Sequence, residues 1–384
     1  MQDYLLRQPE GKSKESIDGL RAIAINVLGA VGYGQPQPWE IRKAPVDQTT
    51  ELTYFDALSM AINYIIESAV APDFLLELPF MPASMKLLSK ARNIVPVLGK
   101  KLLEEDRTAA KSRQETSDNL MSLLVRLSDK GKDEGANKTP SANAQYLTEE
   151  EIQGNLFIFS AAGFDTSANT MAYALTCLAV YPECQEWIIE EIDQVLAAGD
   201  DLSLDQYEAL FPKLHRCLAL MYETLRLFAP VSHIQRETVA PQSISLPNGR
   251  SLLIPADTKI YINLQAVQCS PAIWGPDALS FRPTRWLSTN PSTGQEEFLS
   301  PEKGTYLPWS AGPRVCPGMK MAQVEFTAVI ARLFKGCRVE AVAKDGESME
   351  SARRRLGDVM TDSQNRLTLQ MNRPEDVEVR WVRR

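Results

Sequence analysis

Cys316 stands in the run PWSAGPRVCPG, Pro308 to Gly318, with Gly312, Pro313 and Arg314 before it and Pro317 and Gly318 after it. An amphipathic run, MKMAQVEFTAVIARLF, follows at once. This order delivers a sulfur on a rigid loop at the start of a helix, where aligned peptide dipoles lower a thiol pKa. A thiolate held there is a good ligand for a soft metal, whereas the same cysteine protonated is an ordinary buried turn residue. A second group lies in AAGFDTSANT, where Asp165 and Thr166 interrupt an apolar stretch. A carboxylate and a hydroxyl in such a place require partners, and the threonine can bond the carbonyl four residues back and bend its helix. A third is ETLR, which puts Glu223 and Arg226 one helical turn apart. On an exposed helix the two are worth only about 0.2 to 0.5 kcal/mol. Buried, such a pair matters far more, since removing one partner costs about 3 to 5 kcal/mol.

The rest of the composition narrows the chemistry. The chain has 384 residues and a net charge of −8, which argues against a nucleic-acid partner. Apolar residues make up 44% and charged residues 23%, the balance of an ordinary globular protein with a large core. Six cysteines at 177, 184, 217, 269, 316 and 337 form no C-x-x-C pair, so neither a disulfide framework nor a zinc ribbon is expected. With only His215 and His233, no three-histidine zinc site can be assembled. The start is polar and charged, without a signal-peptide pattern, and no apolar stretch is long enough to span a membrane.

The elements that must position these groups are mostly helical. Apolar spacing of three and four residues predicts helices over Ser16 to Ala30, Thr50 to Ala69 and Met85 to Ser128. DFLLELPFMP, Asp73 to Pro82, reads as a Pro-broken apolar loop, either buried or facing a ligand or lipid. Residues 128 to 145, free of large apolar side chains after Ser128, are expected to form a flexible surface loop. Thr148 and Glu151 make a capping box, and no proline follows until Pro182, so one helix of 33 residues is predicted. Pro182 opens the next helix, closed by Gly199, and a further one runs from Pro212 to Leu227. SISLPNGRSLLIP and TKIYINLQAV then read as strands, followed by loops, a helix after Pro317 and a hairpin near Leu367 to Met371.

The loop around Cys316 resembles the haem-binding signature of the cytochrome P-450 family, aromatic-x-x-Gly-x-Arg-x-Cys-x-Gly, filled here by Trp309, Gly312, Arg314, Cys316 and Gly318. Trp309 stands where the family usually has Phe. ETLR and FRPTRW resemble its Glu-x-x-Arg and Pro-Glu-Arg-Phe elements, with Thr284 in place of the usual Glu. AAGFDT resembles its Ala/Gly-Gly-x-Asp/Glu-Thr element, with Ala162, Gly163, Asp165 and Thr166. The resemblance covers Ile17 onward and has a fungal flavour in IWGPDALSFRPTRW. It implies a mainly α fold with a small β portion, a single domain over 1–384, lacking the usual N-terminal anchor, first-sheet strands and early helices. The segment expected upstream, including a Trp-x-x-x-Arg helix, is not found in the chain, which therefore reads as a truncated gene model or a remnant.

The same resemblance implies haem b held by the Cys316 thiolate, with Arg314 and Arg236 on its propionates and Trp309, Gly312 and Gly318 around the sulfur. Asp165 and Thr166 would pass protons to oxygen bound beside Gly163, and Glu223, Arg226 and Arg285 would form a structural triad. Phe157, Ala161, Phe164, Val231 and Ser232 would line a pocket for an apolar small-molecule substrate. The implied activity is a monooxygenase of secondary metabolism drawing electrons from an NADPH-dependent flavoprotein reductase, which would dock over Arg314, Lys320, Arg332, Lys335 and Arg338. The implied location is the cytoplasmic face of the endoplasmic reticulum membrane, with membrane contact but no anchor in this chain. Two other functions stay open: a haem-thiolate isomerase or dehydratase that needs no reductase, and an inactive haem-binding remnant.

Overall fold

A computed structural model of the 384-residue chain describes residues 1–36, 38–41, 52–112, 119–136, 146–196, 206–246 and 248–384. The chain divides into two compact units, one of Met1 with Glu15–Ala168 and the other of Gln2–Lys14 with Asn169–Arg384.

Among the described residues, the regular elements of the first unit, Glu15–Ala168 with Met1, are all helices. Ser16–Tyr33 buries Ile17, Leu20, Ala24 and Leu28 at helical spacing and stops at Gly34, whose φ of 65° lets its N–H return to the Ala30 carbonyl. The stretch predicted as one helix to Ala69 is two, Tyr54–Asn63 and Ile65–Val70, broken at Tyr64. The first of these starts at a capping box, in which the Thr53 hydroxyl accepts from Asp56 N–H and the Asp56 carboxylate accepts from Thr53 N–H. Residues 50 and 51 of that prediction lie outside the described residues. The next predicted helix is also divided, into Ala83–Ser112 and Leu120–Ala136. Leu52, Ala57, Met60, Leu76, Leu87, Leu88 and Ala91 make one apolar core between these elements.

Two loop expectations change. Residues 128 to 136 continue the helix Leu120–Ala136 rather than opening a surface loop, because lysine, aspartate and alanine tolerate the helical backbone. The remainder, 137–145, lies outside the described residues. In Asp73 to Pro82, Asp73–Leu76 forms a turn of helix that buries Leu76 while Phe74 and Phe80 stay exposed.

The long helix appears as predicted, Glu149–Val180, and both arms of its capping box are made: Thr148 N–H to Glu151 Oε2 at 2.8 Å and Glu151 N–H to Thr148 Oγ1 at 3.2 Å. Pro182 occupies the first turn of Pro182–Val195, and the predicted closure at Gly199 lies outside the described residues.

In the second unit, the helix expected from Pro212 is a 3-10 turn, Phe211–Lys213, followed by His215–Leu227. Leu214 cannot cap this helix with its side chain. Glu191 does so from the neighbouring helix, its two oxygens accepting from Arg216 N–H at 2.7 Å and Cys217 N–H at 3.1 Å. Burial nevertheless pushes the Glu191 carboxyl up to about 7, against the opposing effect of those two bonds. The strands form small antiparallel sheets. Lys12–Ser13, Val379–Arg383 and Cys337–Ala341 pair in that order. His233–Glu237 pairs with Lys259–Asn263, Gln242–Ser245 with Ser251–Ile254, and the late hairpin joins Ser363–Asn365 to Leu369–Met371. The end of TKIYINLQAV is not strand: Leu264–Gln268 is a helix capped by the Asn263 side chain.

Candidate functional site

In the second unit the cysteine loop is shaped by its backbone. Gly312 has φ +70° and Ser310 has φ +64°, both left-handed, a region that favours glycine and strains serine. Ser310 is held there by Arg236, whose guanidinium donates to Ser310 Oγ at 2.6 Å. The loop closes through Cys316 N–H to the Trp309 carbonyl at 2.8 Å. The helix Met319–Phe334 begins three residues beyond Cys316, with Gly318 at its cap. A Cβ on Gly318 would lie 3.9 Å from Cys316 Sγ, so the sulfur has its glycine neighbour at van der Waals range.

The six cysteines are not equivalent. Cys177, Cys217 and Cys337 are buried, Cys184 and Cys269 are half-buried, and Cys316 alone is exposed. Burial pushes the thiols of the other five upward, Cys184 to about 12, and so disfavours their thiolates. Around Cys316, Val315 is an exposed apolar residue, and Arg314 is exposed without a partner among the described residues. An accessible soft donor, an uncovered apolar neighbour and an uncommitted cation suit a large apolar macrocycle bearing anionic groups. Among the described residues no cluster of three or more His, Cys, Asp or Glu offers a rival metal site. Of the basic residues near the loop, Lys320 lies over the Phe211 ring at 4.2 Å and Arg338 pairs with Glu186 at 3.2 Å.

The charges predicted as a triad do meet. Glu223 and Arg226 are fully buried, and Arg226 grips the carboxylate with two bonds of 2.8 and 2.9 Å. Arg285 Nε reaches Glu223 Oε1 at 2.9 Å and also pairs with Asp277 at 3.2 Å. The Arg282 N–H and the Trp286 indole N–H complete the carboxylate's shell at 2.8 and 3.0 Å. Arg226 spends its remaining donors on the Gln268, Ala278 and Ser280 carbonyls. With both Glu223 oxygens and all of Arg226's nitrogens engaged, the hydrogen bonds offset the desolvation cost of burying the pair.

Sequence reasoning missed the residues that tie this triad to the cysteine loop. Gln268, fully buried, donates to the Leu225 and Arg226 carbonyls and accepts from Leu307 N–H at 3.0 Å, just before Pro308. Tyr306 OH donates to the Tyr222 carbonyl at 3.0 Å, and the Tyr222 ring stacks on Tyr306 and meets Trp309 edge-on at 5.2 Å. Trp309 therefore continues an aromatic wall made with Tyr222, Trp286 and Tyr306. The density of aromatics in FRPTRW and TYLPWS was a usable signal; nothing in the chain marks Gln268.

In the first unit, Asp165 is 2% exposed and Thr166 half-buried, both on the long helix. Thr166 Oγ1 donates to the Ala162 carbonyl at 2.6 Å, the bond anticipated for a mid-helix threonine. A Cβ on Gly163 would face Leu28 at 3.7 Å, so this glycine lies against the helix Ser16–Tyr33 without forcing a close approach. Ala161 and Phe164 are buried and Phe157 half-buried, while Val231, in the second unit, is exposed.

Comparison with known proteins follows the same line. The family profile described as Cytochrome P450 matches residues 6–368. The chain is 32% identical to the phomenoic acid biosynthesis cluster cytochrome P450 monooxygenase of Leptosphaeria maculans, covering 93% of the chain and 64% of that relative. It is 28% identical to a cytochrome P450 monooxygenase of Arthrobotrys oligospora, covering all of the chain and 68% of that relative. Among solved structures, the haem domain of cytochrome P450DA superposes with a TM-score of 0.67 at 17% identity, over 96% of the chain and 68% of that domain. A second cytochrome P450 crystal structure gives 0.65 at 20% identity, over 96% and 68%.

Proposed function

Since the chain belongs to the cytochrome P450 family, whose members are haem-thiolate proteins, we propose that it is a monooxygenase that inserts one atom of O2 into an apolar small molecule. The second oxygen atom leaves as water, with two electrons supplied through an NADPH-dependent flavoprotein reductase and two protons taken from solvent. The observation that carries this reading is Cys316: one exposed sulfur on a strained loop, beside five cysteines whose thiols burial pushes upward.

Cys316 would hold haem b, with Arg314 and Arg236 pairing its propionates and Trp309, Gly312 and Gly318 shaping the surroundings of the sulfur. Bound there, the haem supplies oxygen activation, which a thiolate ligand favours by donating electron density. Glu223, Arg226 and Arg285 hold the strands and helices behind the loop, and Gln268 fixes the loop's entry at Leu307. Thr166 and Asp165 are assigned to proton delivery by the family resemblance, with the Thr166 hydroxyl donating to the Ala162 carbonyl in the helix that carries both. A place in secondary metabolism is supported by the Leptosphaeria maculans relative, named for a biosynthesis cluster. By family resemblance, the reaction is assigned to the cytoplasmic face of the endoplasmic reticulum. Among the described residues no helix is long and apolar enough to cross a membrane.

The test is Cys316→Ser. The purified chain should bind haem and show the red-shifted band of a reduced thiolate–carbon monoxide complex, and the variant should lose that band. A band that survives in the variant would overturn the assignment. With a reconstituted reductase, Thr166→Ala should keep the band yet yield several-fold less product per NADPH, in the lower part of the range typical of a lost proton-transfer group, about 10²-fold or less. Unchanged coupling would return Thr166 to a purely helical role.

A further inference from the structure

The loop that carries Cys316 has few ties to the rest of the protein. Residues 311 to 317 are all exposed, Gly312, Pro313 and Pro317 among them. The backbone bonds that shape it are Ser310 N–H to the Leu307 carbonyl at 2.9 Å, Val315 N–H to Gly312 at 3.1 Å and Cys316 N–H to Trp309 at 2.8 Å. Among the described residues, Arg236 is the one side chain from outside that bonds to Ser310–Gly318. It reaches Ser310 Oγ at 2.6 Å and the Ala311 carbonyl at 3.5 Å.

Ser310 takes a backbone conformation that serine resists. Its φ is +64°, and among the described residues only Glu10 and Asp257 are other non-glycine positions with positive φ. Asp257 is of a type that visits the left-handed region readily, and Glu10 precedes Gly11 in a single 3-10 turn. Serine has no such local help. A residue held this way persists only where its surroundings over-determine it, and for Ser310 the partner arrives from 74 positions away.

Arg236 is aimed by its own strand. It lies in His233–Glu237, opposite Ile260 of Lys259–Asn263, and its Nη1 donates to the Gln235 carbonyl at 2.8 Å. Nη2 is then directed at Ser310, and a bond from a guanidinium to a hydroxyl is stronger than one between neutral groups. A guanidinium has more donors than these contacts use, so Arg236 can hold the loop and still pair with a propionate.

We propose that Ser310 is a positioning residue: its hydroxyl, by accepting from Arg236, fixes the left-handed turn from which the loop presents Cys316, already before haem binds. The consequence for haem rests on the haem-thiolate reading above, whereas the Ser310–Arg236 latch does not. Without the hydroxyl, Ser310 relaxes toward an ordinary φ, and the exposed chain beyond it keeps only its own short bonds. A loop set in advance captures its cofactor faster and in one geometry.

Hydrogen exchange at the Cys316 amide, followed by mass spectrometry on the haem-free chain, reports opening of this loop. Ser310→Ala should speed that exchange about tenfold, the loss expected for a bond to a charged group. Ser310→Asn should return it to within about threefold of wild type, because asparagine tolerates the left-handed region and its side-chain oxygen accepts from Arg236. Arg236→Gln should match Ser310→Ala, and the double variant should exchange no faster than either alone. Ser310→Gly relieves the φ but offers no acceptor, so it too should exchange faster. Wild-type exchange in Ser310→Ala or Ser310→Gly, additive effects in the double variant, or no rescue by asparagine would overturn the latch. On addition of haemin, Ser310→Ala should take up haem several-fold more slowly and show a smaller share of the red-shifted reduced carbon monoxide band, with both restored in Ser310→Asn. Faster exchange in a chain that binds no haem would support the latch and overturn the haem reading. Faster exchange with unchanged haem uptake and band would overturn the role of Ser310 in presenting Cys316.

Discussion

The buried carboxylate of Glu223 and the buried amide of Gln153 show two opposite ways of treating a polar group. Glu223 accepts five hydrogen bonds, from Arg226 twice, Arg285, the Arg282 backbone and Trp286. Gln153 Nε2 donates to nothing in the protein. The contrast extends to their glycines. Gly312, in the cysteine loop, is required for its positive φ, whereas Gly154, next to Gln153, sits in ordinary helix with empty space beside it. A group saturated by its own chain is there to hold a shape; a group and a space left open by the chain are free of that duty.

The largest expected effect is at the saturated end. Glu223→Ala strands Arg226 and Arg285 without their carboxylate and should lower stability by about 3 to 5 kcal/mol in denaturant titration. A loss under about 1 kcal/mol would mean that the pair behaves as an exposed bridge, and the comparison would collapse.

Glu191 stands between the two cases, satisfied by two backbone donors yet costly to ionise. Its folded-state carboxyl is raised to about 7 from an ordinary 4.5. The folded protein therefore holds the extra proton between those values, and stability should decline as pH rises through that window. Full ionisation costs on the order of 3 kcal/mol by the same linkage. The charged groups acting on it are Arg216 and Glu296; Glu190 pairs with Arg216, and His215 begins the helix that Glu191 caps. Glu191→Gln should flatten the pH profile of the unfolding midpoint between pH 4.5 and 7, and an unchanged slope would assign it to other groups.

The smallest effects are a matched pair of opposite sign. Gly312→Ala places a Cβ at φ +70° and should destabilise by about 1 to 2 kcal/mol. Gly154→Ala, in regular helix with room around it, should stabilise by about 0.5 to 1 kcal/mol. Thermal unfolding of the two variants side by side checks both signs, and destabilisation by Gly154→Ala would show that the space beside it is already packed.

Much of this was legible in the chain because it is local. Thr148 and Glu151, then Pro182, delimit the long helix through bonds spanning three residues and a missing N–H. Gly312, Arg314, Cys316 and Gly318 lie within seven positions, so the resemblance to the family's haem-binding signature could be seen within one short run. The break at Tyr64 and the 3-10 turn before His215 were not legible, because apolar spacing continues through both. Even the triad showed itself only as residue types; its burial, which converts a weak bridge into a lock, depends on residues more than fifty positions away.

What only the tertiary structure decided are the partnerships between distant segments. Glu191 caps a helix that begins 24 residues later, Gln268 joins Arg226 to Leu307, and Gln153 Nε2 is left without a partner. Periodicity and capping record what a residue does to its own turn of chain. Whether a polar atom is satisfied, and whether the space beside a glycine is filled, depends on which other segments arrive there, and a linear order of residue types does not contain that information.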